Sequence, residues 1–154
     1  MGRNERAADA GGFINVDLEI GARTRAQLAP LIEQFKETLF EMHVGRIRGL
    51  YHAHYESHGP SSVRRNGRPA PTPSAVIHEL ADAIERLNSA GRRAWNAASM
   101  RDFNVGVDIA RGVWMSEHHI EADAVRRIAA LRARLVFTAY QEAALRGAPA
   151  KAPK

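Results

Sequence analysis

Five side chains suited to acid–base or metal chemistry fall within the eighteen residues Leu39 to Glu56, LFEMHVGRIRGLYHAHYE. They are Glu41, His43, His52, His54 and Glu56. His52 and His54 stand two apart, so on a strand both imidazoles point to one side. With His43 and Glu41 on a facing strand, the set would suit zinc, nickel or iron. The plainer reading is a solvated sheet face, on which cross-strand His–Glu pairs contribute about 0.2–1 kcal/mol each. A flat sheet lacks the concavity that shields a catalytic metal, so the plainer reading is preferred. No cofactor is then expected, and a divalent metal such as zinc is the one alternative these residue types leave open.

Other chemistry finds less support. Glu117, His118, His119 and Glu121 form a second group. Adjacent residues of an extended chain face opposite ways, and the spacing is not the HExxH of zinc proteases. There is no GxSxG, P-loop or GxGxxG pattern, which removes the usual hydrolase and nucleotide signatures. Cysteine is absent, which excludes disulfides, thiolate metal sites and a cysteine nucleophile. Asp17, Glu19 and Asp108 could serve as acid and base only within a cleft. An enzyme is therefore not the expected outcome.

The elements that position these residues follow from periodicity. FINVDLEI (13–20) alternates, with Ile14, Val16, Leu18 and Ile20 on one face, which predicts a half-buried strand. Thr24 followed by Gln27 predicts a capping box, and Leu28, Leu31, Ile32 and Phe35 give a helical stripe despite Pro30. The hairpin follows, with its turn expected at Arg46-Ile47. That register sets Met42 opposite Tyr51 and Phe40 opposite Ala53 on the apolar, core face, and Glu41 opposite His52 and Leu39 opposite His54 on the outer one. Thr72-Pro73 opens the longest helix, with proline at its first position. Its stripe is Ile77, Leu80, Ile84 and Leu87; Gly91 is its candidate breaker, and Trp95 and Ala98 are its candidate extension. A strand at 102–110, a helix at 121–132 with Ala124, Val125, Ile128 and Leu131 on its buried face, and a strand at 134–140 complete the order. Whether 113–120 adds a strand is open. Asn15–Ile20 and Asn104–Ile109 match in pattern, which fits either a duplicated β-α-β unit or two strands obeying one alternation.

The expected fold is α+β: a two-layer α/β sandwich, its mixed sheet of five or six strands carrying three helices on one face. One domain spans 13–142, with disordered tails at 1–12 and 143–154 and a flexible loop at 57–73. The other sheet face is then open and gathers Asn15, Asp17, Glu19, Glu41, His43, His52, His54, Glu56, Asn104 and Asp108.

The net charge is +5. Arg64, Arg65 and Arg68 carry three positive charges on the loop, and Arg146, Lys151 and Lys154 three more on the tail. The body is left near −1. Basic charge on loops gives weak, salt-sensitive phosphate affinity, so nucleic acid is not the expected partner. No apolar run approaches the roughly 18–20 residues needed to cross a membrane, and the first residues lack a signal-peptide core. A cytoplasmic protein is the expectation.

The run VRRIAALRARLVFTAY after an acidic helix start, together with the hairpin, resembles small bacterial α/β proteins of uncharacterised function. The likeness spans about Phe13 to Tyr140 and is structural, so it carries no catalytic residue across. It implies a non-enzymatic protein-binding module, of immunity type or an accessory factor, with a toxin or secretion-system component as partner. Candidate binding residues are Asp17, Glu19, Arg64, Arg65 and Arg68, and a homodimer through the open face is a further expectation.

Overall fold

A computed structural model describes residues 12–58, 71–109 and 117–141. Nine elements follow in chain order: β1 (Phe13–Ala22), α1 (Arg25–Phe35), β2 (Leu39–Ile47), β3 (Leu50–Ser57), α2 (Pro73–Glu85), α3 (Ser89–Ala97), β4 (Met100–Ile109), α4 (Ala122–Ala130) and β5 (Arg134–Gln141). The strands form one sheet in the order β2-β3-β1-β4-β5. Three neighbouring pairs are antiparallel and β4–β5 is parallel. The fold is thus α+β with a mixed five-stranded sheet. Its first four strands follow the β-α-β-β-α-β arrangement called ferredoxin-like, and α4 and β5 are added beside β4.

The alternation of β1 decides the layers. Val16, Leu18 and Ile20 are fully buried and belong to one core cluster with Leu28, Leu31 and Phe35 of α1 and Ile77, Leu80 and Ile84 of α2. Each such side chain contributes about 1.5–3 kcal/mol by leaving water. Asn15, Asp17 and Glu19 lie on the opposite face and keep partial exposure. One sheet face is packed and the other is not covered by any helix among the described residues.

Local signals set the helix starts. The Thr24–Gln27 capping box forms on both sides, and Pro30 is accommodated inside α1. Thr72 caps α2, whose first residue is Pro73. The expected single long helix is instead two, which makes four helices among the described residues. The break falls at 86–88 and not at Gly91, because Asn88 caps a new helix by accepting from Ala90 N and Gly91 N at 2.9 and 3.0 Å. Gly91 serves close approach: a Cβ there would meet the Gln34 amide of α1 at 2.6 Å. Trp95 then anchors α3 to the end of α4, its indole N–H donating to the Leu131 carbonyl at 3.0 Å. Val125, expected on the buried stripe of α4, is exposed, and Ala124 and Ile128 carry that contact.

The hairpin register differs from the expected one. The turn lies at Arg48-Gly49, with φ of 47° and 87°, and Ile47 pairs with Leu50. Two successive positive φ values suit a two-residue hairpin, whose mirror-image turn matches the strand twist. Gly49 adopts its value without a Cβ penalty. The register then shifts between Glu41 and His43, a β-bulge.

The two matched strands, β1 and β4, are antiparallel neighbours. The connections that follow them differ: α4 leads to β5 directly beside β4, whereas α1 leads to β2 with β3 lying between.

Candidate functional site

The open sheet face carries a row of side chains that crosses all five strands. His43 pairs with His54, His54 with Glu19, Glu19 with Asp102, and Asp102 with Arg134. A second row holds Phe40 opposite Glu56 and Asp17 opposite Asn104. Leu18 pairs with Tyr55, which sets Asp17 beside Glu56. Sequence alternation alone places Asp17, Glu19, His43, His52, His54, Glu56 and Asn104 on this face, and the register brings them together.

Part of the row is tied internally. Arg134 makes a bidentate pair with Asp102, both bonds 2.7 Å. Thr138 donates to Asn104 Oδ1 and Asn104 Nδ2 donates to Glu19 Oε1, each at 2.8 Å. This chain fixes Glu19 in the middle of the face. Asn15 Nδ2 donates to Asp17 at 3.2 Å.

The carboxylates are otherwise short of cations. Among the described residues no lysine or arginine pairs with Asp17, Glu19 or Glu56, and the one arginine in the row is already engaged by Asp102. Burial, with Glu56 and Glu19 alongside, pushes the Asp17 carboxyl from 3.8 up to about 6. Burial also holds the His54 imidazole below its ordinary range, against the pull of Glu19. Three polar atoms on this face have neither solvent contact nor a hydrogen-bond partner: His52 Nδ1, His54 Nε2 and Asp108 Oδ1. Such atoms cost about 1–3 kcal/mol each when left unpaired.

The three imidazoles are neighbours, with ring centroids 6.0 Å apart for His43–His54 and 5.9 Å for His52–His54. Gly45 makes room for them, since a Cβ there would lie 2.7 Å from His43 Nε2. They do not converge as ligands. Among the described residues no three or more His, Asp or Glu side chains are grouped to hold a metal ion.

Glu41, expected with the histidines, is elsewhere. The bulge moves it onto the same face as Tyr55, with which it pairs. There it lines a cavity of about 520 Å³ between α1 and β2, together with Arg25, Ala29, Ile32, Lys36 and Val44. Tyr55 lies under α1 against Phe35, and burial, with the Glu41 carboxylate as second cause, raises its hydroxyl well above the usual range. Phe40 and Met42, expected in the core, are 53% exposed each, and Leu39, expected outside, is buried. The same bulge accounts for all three, because one extra residue exchanges the faces of everything before it. Arg64, Arg65 and Arg68 lie outside the described residues, as does 113–116; residues 117–121 form no strand.

A Ser–His–Asp set, unforeseen from spacing, joins α2 to α4. His78 Nε2 lies 3.2 Å from Asp123, and Ser74 sits one turn earlier on α2. It does not form a nucleophile relay. Arg127 Nη1 occupies His78 Nδ1 at 3.0 Å, and Ser74 Oγ accepts from Glu121 N at 2.8 Å. Both imidazole nitrogens are engaged, which leaves none for a serine proton. With Arg127 also bonded to Asp82 and Glu85, the group is a clamp between helices.

No helix among the described residues is long and apolar enough to cross a membrane. Comparison with family models, curated proteins and solved structures finds no match.

Proposed function

We propose that the protein is a non-enzymatic binding module whose open sheet face docks a cationic surface of another protein. One observation carries this reading: among the described residues Asp17, Glu19 and Glu56 crowd the centre of an uncovered face with no cation paired to them, and burial has pushed Asp17 up to about 6. Shielded polar atoms without partners lie on the same face, at His52, His54 and Asp108. A partner that brings lysine or arginine here relieves the carboxylate repulsion and gives charge-assisted hydrogen bonds in exchange. Perturbed ionisable groups gather at functional sites more often than elsewhere. Fold topology by itself assigns no function, so the weight rests on these residues. An immunity-type or accessory role, with a toxin or secretion-system component as the cationic partner, is compatible with this chemistry.

The test is affinity capture from the native host with the wild-type chain and with Asp17→Asn/Glu19→Gln/Glu56→Gln. The expected result is a basic protein retained by the wild type and lost with the triple variant. Equal retention by both chains, or capture of no basic protein, overturns the reading.

A further inference from the structure

The face just described ends at a strand edge that no described residue pairs, and that edge borders the cavity on the other side of the sheet. Among the described residues β2 is terminal in the sheet and pairs with β3 alone. Its outer backbone groups are therefore a template for another strand. The bulge between Glu41 and His43 bends the first part of β2, which leaves 43–47 as the regular segment for pairing. Val44 in that segment lines the cavity of about 520 Å³, a volume within the roughly 300–1,000 Å³ of ligand-binding pockets. Its apolar lining is Ala26, Ala29, Ile32 and Val44, and its charged lining balances Arg25 and Lys36 against Glu33 and Glu41. The opposite edge strand, β5, has exposed Phe137 and Tyr140 and lines neither of the two cavities described, at α1–β2 and at α3–α4.

We propose that an extended cationic segment of the partner adds to the sheet along β2. The inference rests on the docking reading above and states how the partner is held. Side chains of an added strand alternate between faces every residue. Those on the helix side enter the cavity over Ala29 and Val44, where small aliphatic groups fit. Those on the open side meet Phe40 and His43, and strands lie about 4.8 Å apart, so a lysine or arginine stem crosses β2 toward Glu56. The ligand is thus a stretch in which aliphatic and basic residues alternate. Main-chain pairing supplies affinity and the alternate pockets supply specificity, as in other strand-addition complexes.

The probe is a short labelled peptide alternating valine and lysine, read by fluorescence anisotropy beside a peptide of the same composition with its lysines in one block. The alternating peptide is expected to bind about tenfold tighter or more. Ala29→Trp and Ala26→Trp, both at exposed positions lining the cavity, are each expected to remove that advantage. Asp17→Asn/Glu56→Gln is expected to weaken both peptides. Equal binding of the two peptides, or an advantage that survives both tryptophan variants, overturns strand addition. If only the charge variant then acts, docking on the open face stands; if that variant is also silent, both readings fall. A dimer in sedimentation that the peptide does not dissociate assigns the β2 edge to a second copy and overturns the proposal.

Discussion

Asp17 carries the clearest consequence at the level of one residue. Its ordinary pKa of 3.8 is raised to about 6, first by burial, then by Glu56 and Glu19. The folded state thus binds a proton more tightly than the unfolded chain. Below 3.8 both states are protonated and Asp17 contributes no difference. As pH rises from 3.8 through 6, stability falls, and above 6 the full cost is present. At full weight that shift corresponds to about 3 kcal/mol; partial solvent contact reduces it to roughly 1–2 kcal/mol. Asp17→Asn removes the charge and keeps an oxygen for Asn15. Thermal denaturation of this variant at pH 7.5 is expected to show a Tm several degrees above wild type, and at pH 3.5 no difference. An equal gain at both pH values would show that charge is not the cause. The cost makes sense as a binding feature: carboxylates that destabilise the free protein are available to a cation from outside.

At the level of elements, turn geometry governs what each strand presents. α4 ends with Leu131, then Arg132 at φ 54°. Arg132 N donates to the Ala129 carbonyl and Ala133 N to the Ile128 carbonyl, at 3.0 and 3.1 Å. This is a Schellman ending, in which the left-handed position is usually glycine. Arginine there pays a steric cost that glycine avoids. Arg132→Gly is expected to raise stability by about 0.5–1 kcal/mol in urea denaturation with an unchanged m-value; a loss of stability would count against the cap. The hairpin shows the same logic with a larger effect. Its turn at Arg48-Gly49 fixes Val44 opposite Ala53, and the bulge then sends Glu41 to the cavity and Phe40 to the open face. One unpaired residue therefore separates the histidine cluster from its expected carboxylate and opens the groove against α1.

For the molecule as a whole, charge is divided by location. The chain is basic, with a sequence pI near 10.2, while the described residues hold thirteen Lys and Arg against fourteen Asp and Glu. The open face is more acidic still, since Arg134 there is paired with Asp102 and Asp17, Glu19 and Glu56 have no cation among the described residues. A cationic soluble nitroxide is accordingly expected to broaden the amide signals of Glu19, His54 and Asn104 more than an anionic one does. The contrast should shrink as salt shortens the screening length from about 10 Å at 0.1 M to about 3 Å at 1 M. Identical broadening by the two probes would remove the acidic face as an electrostatic feature.

The amino-acid sequence by itself determined the parts whose causes are local. Alternation in β1 and β4, the Thr24–Gln27 and Thr72 caps, proline opening α2 and the helix-to-strand run at the end all depend on neighbours within one or two turns. From these the α+β class, the single covered face and most of the open-face residues were legible. The second helix start at Asn88 was legible in principle, through a capping asparagine, but Gly91 was the louder breaker. Register was not legible, because Arg46-Ile47 and Arg48-Gly49 both close a hairpin with apolar residues on one side, and the bulge changes face parity without a sequence marker. Strand order was not legible either: β1 lies between β3 and β4 only because distant segments bury their apolar faces together. Tertiary structure alone therefore decided that Glu19 stands beside His54, that Glu41 lines a groove against α1, and that the carboxylates of β1 and β3 share one face without a cation among the described residues.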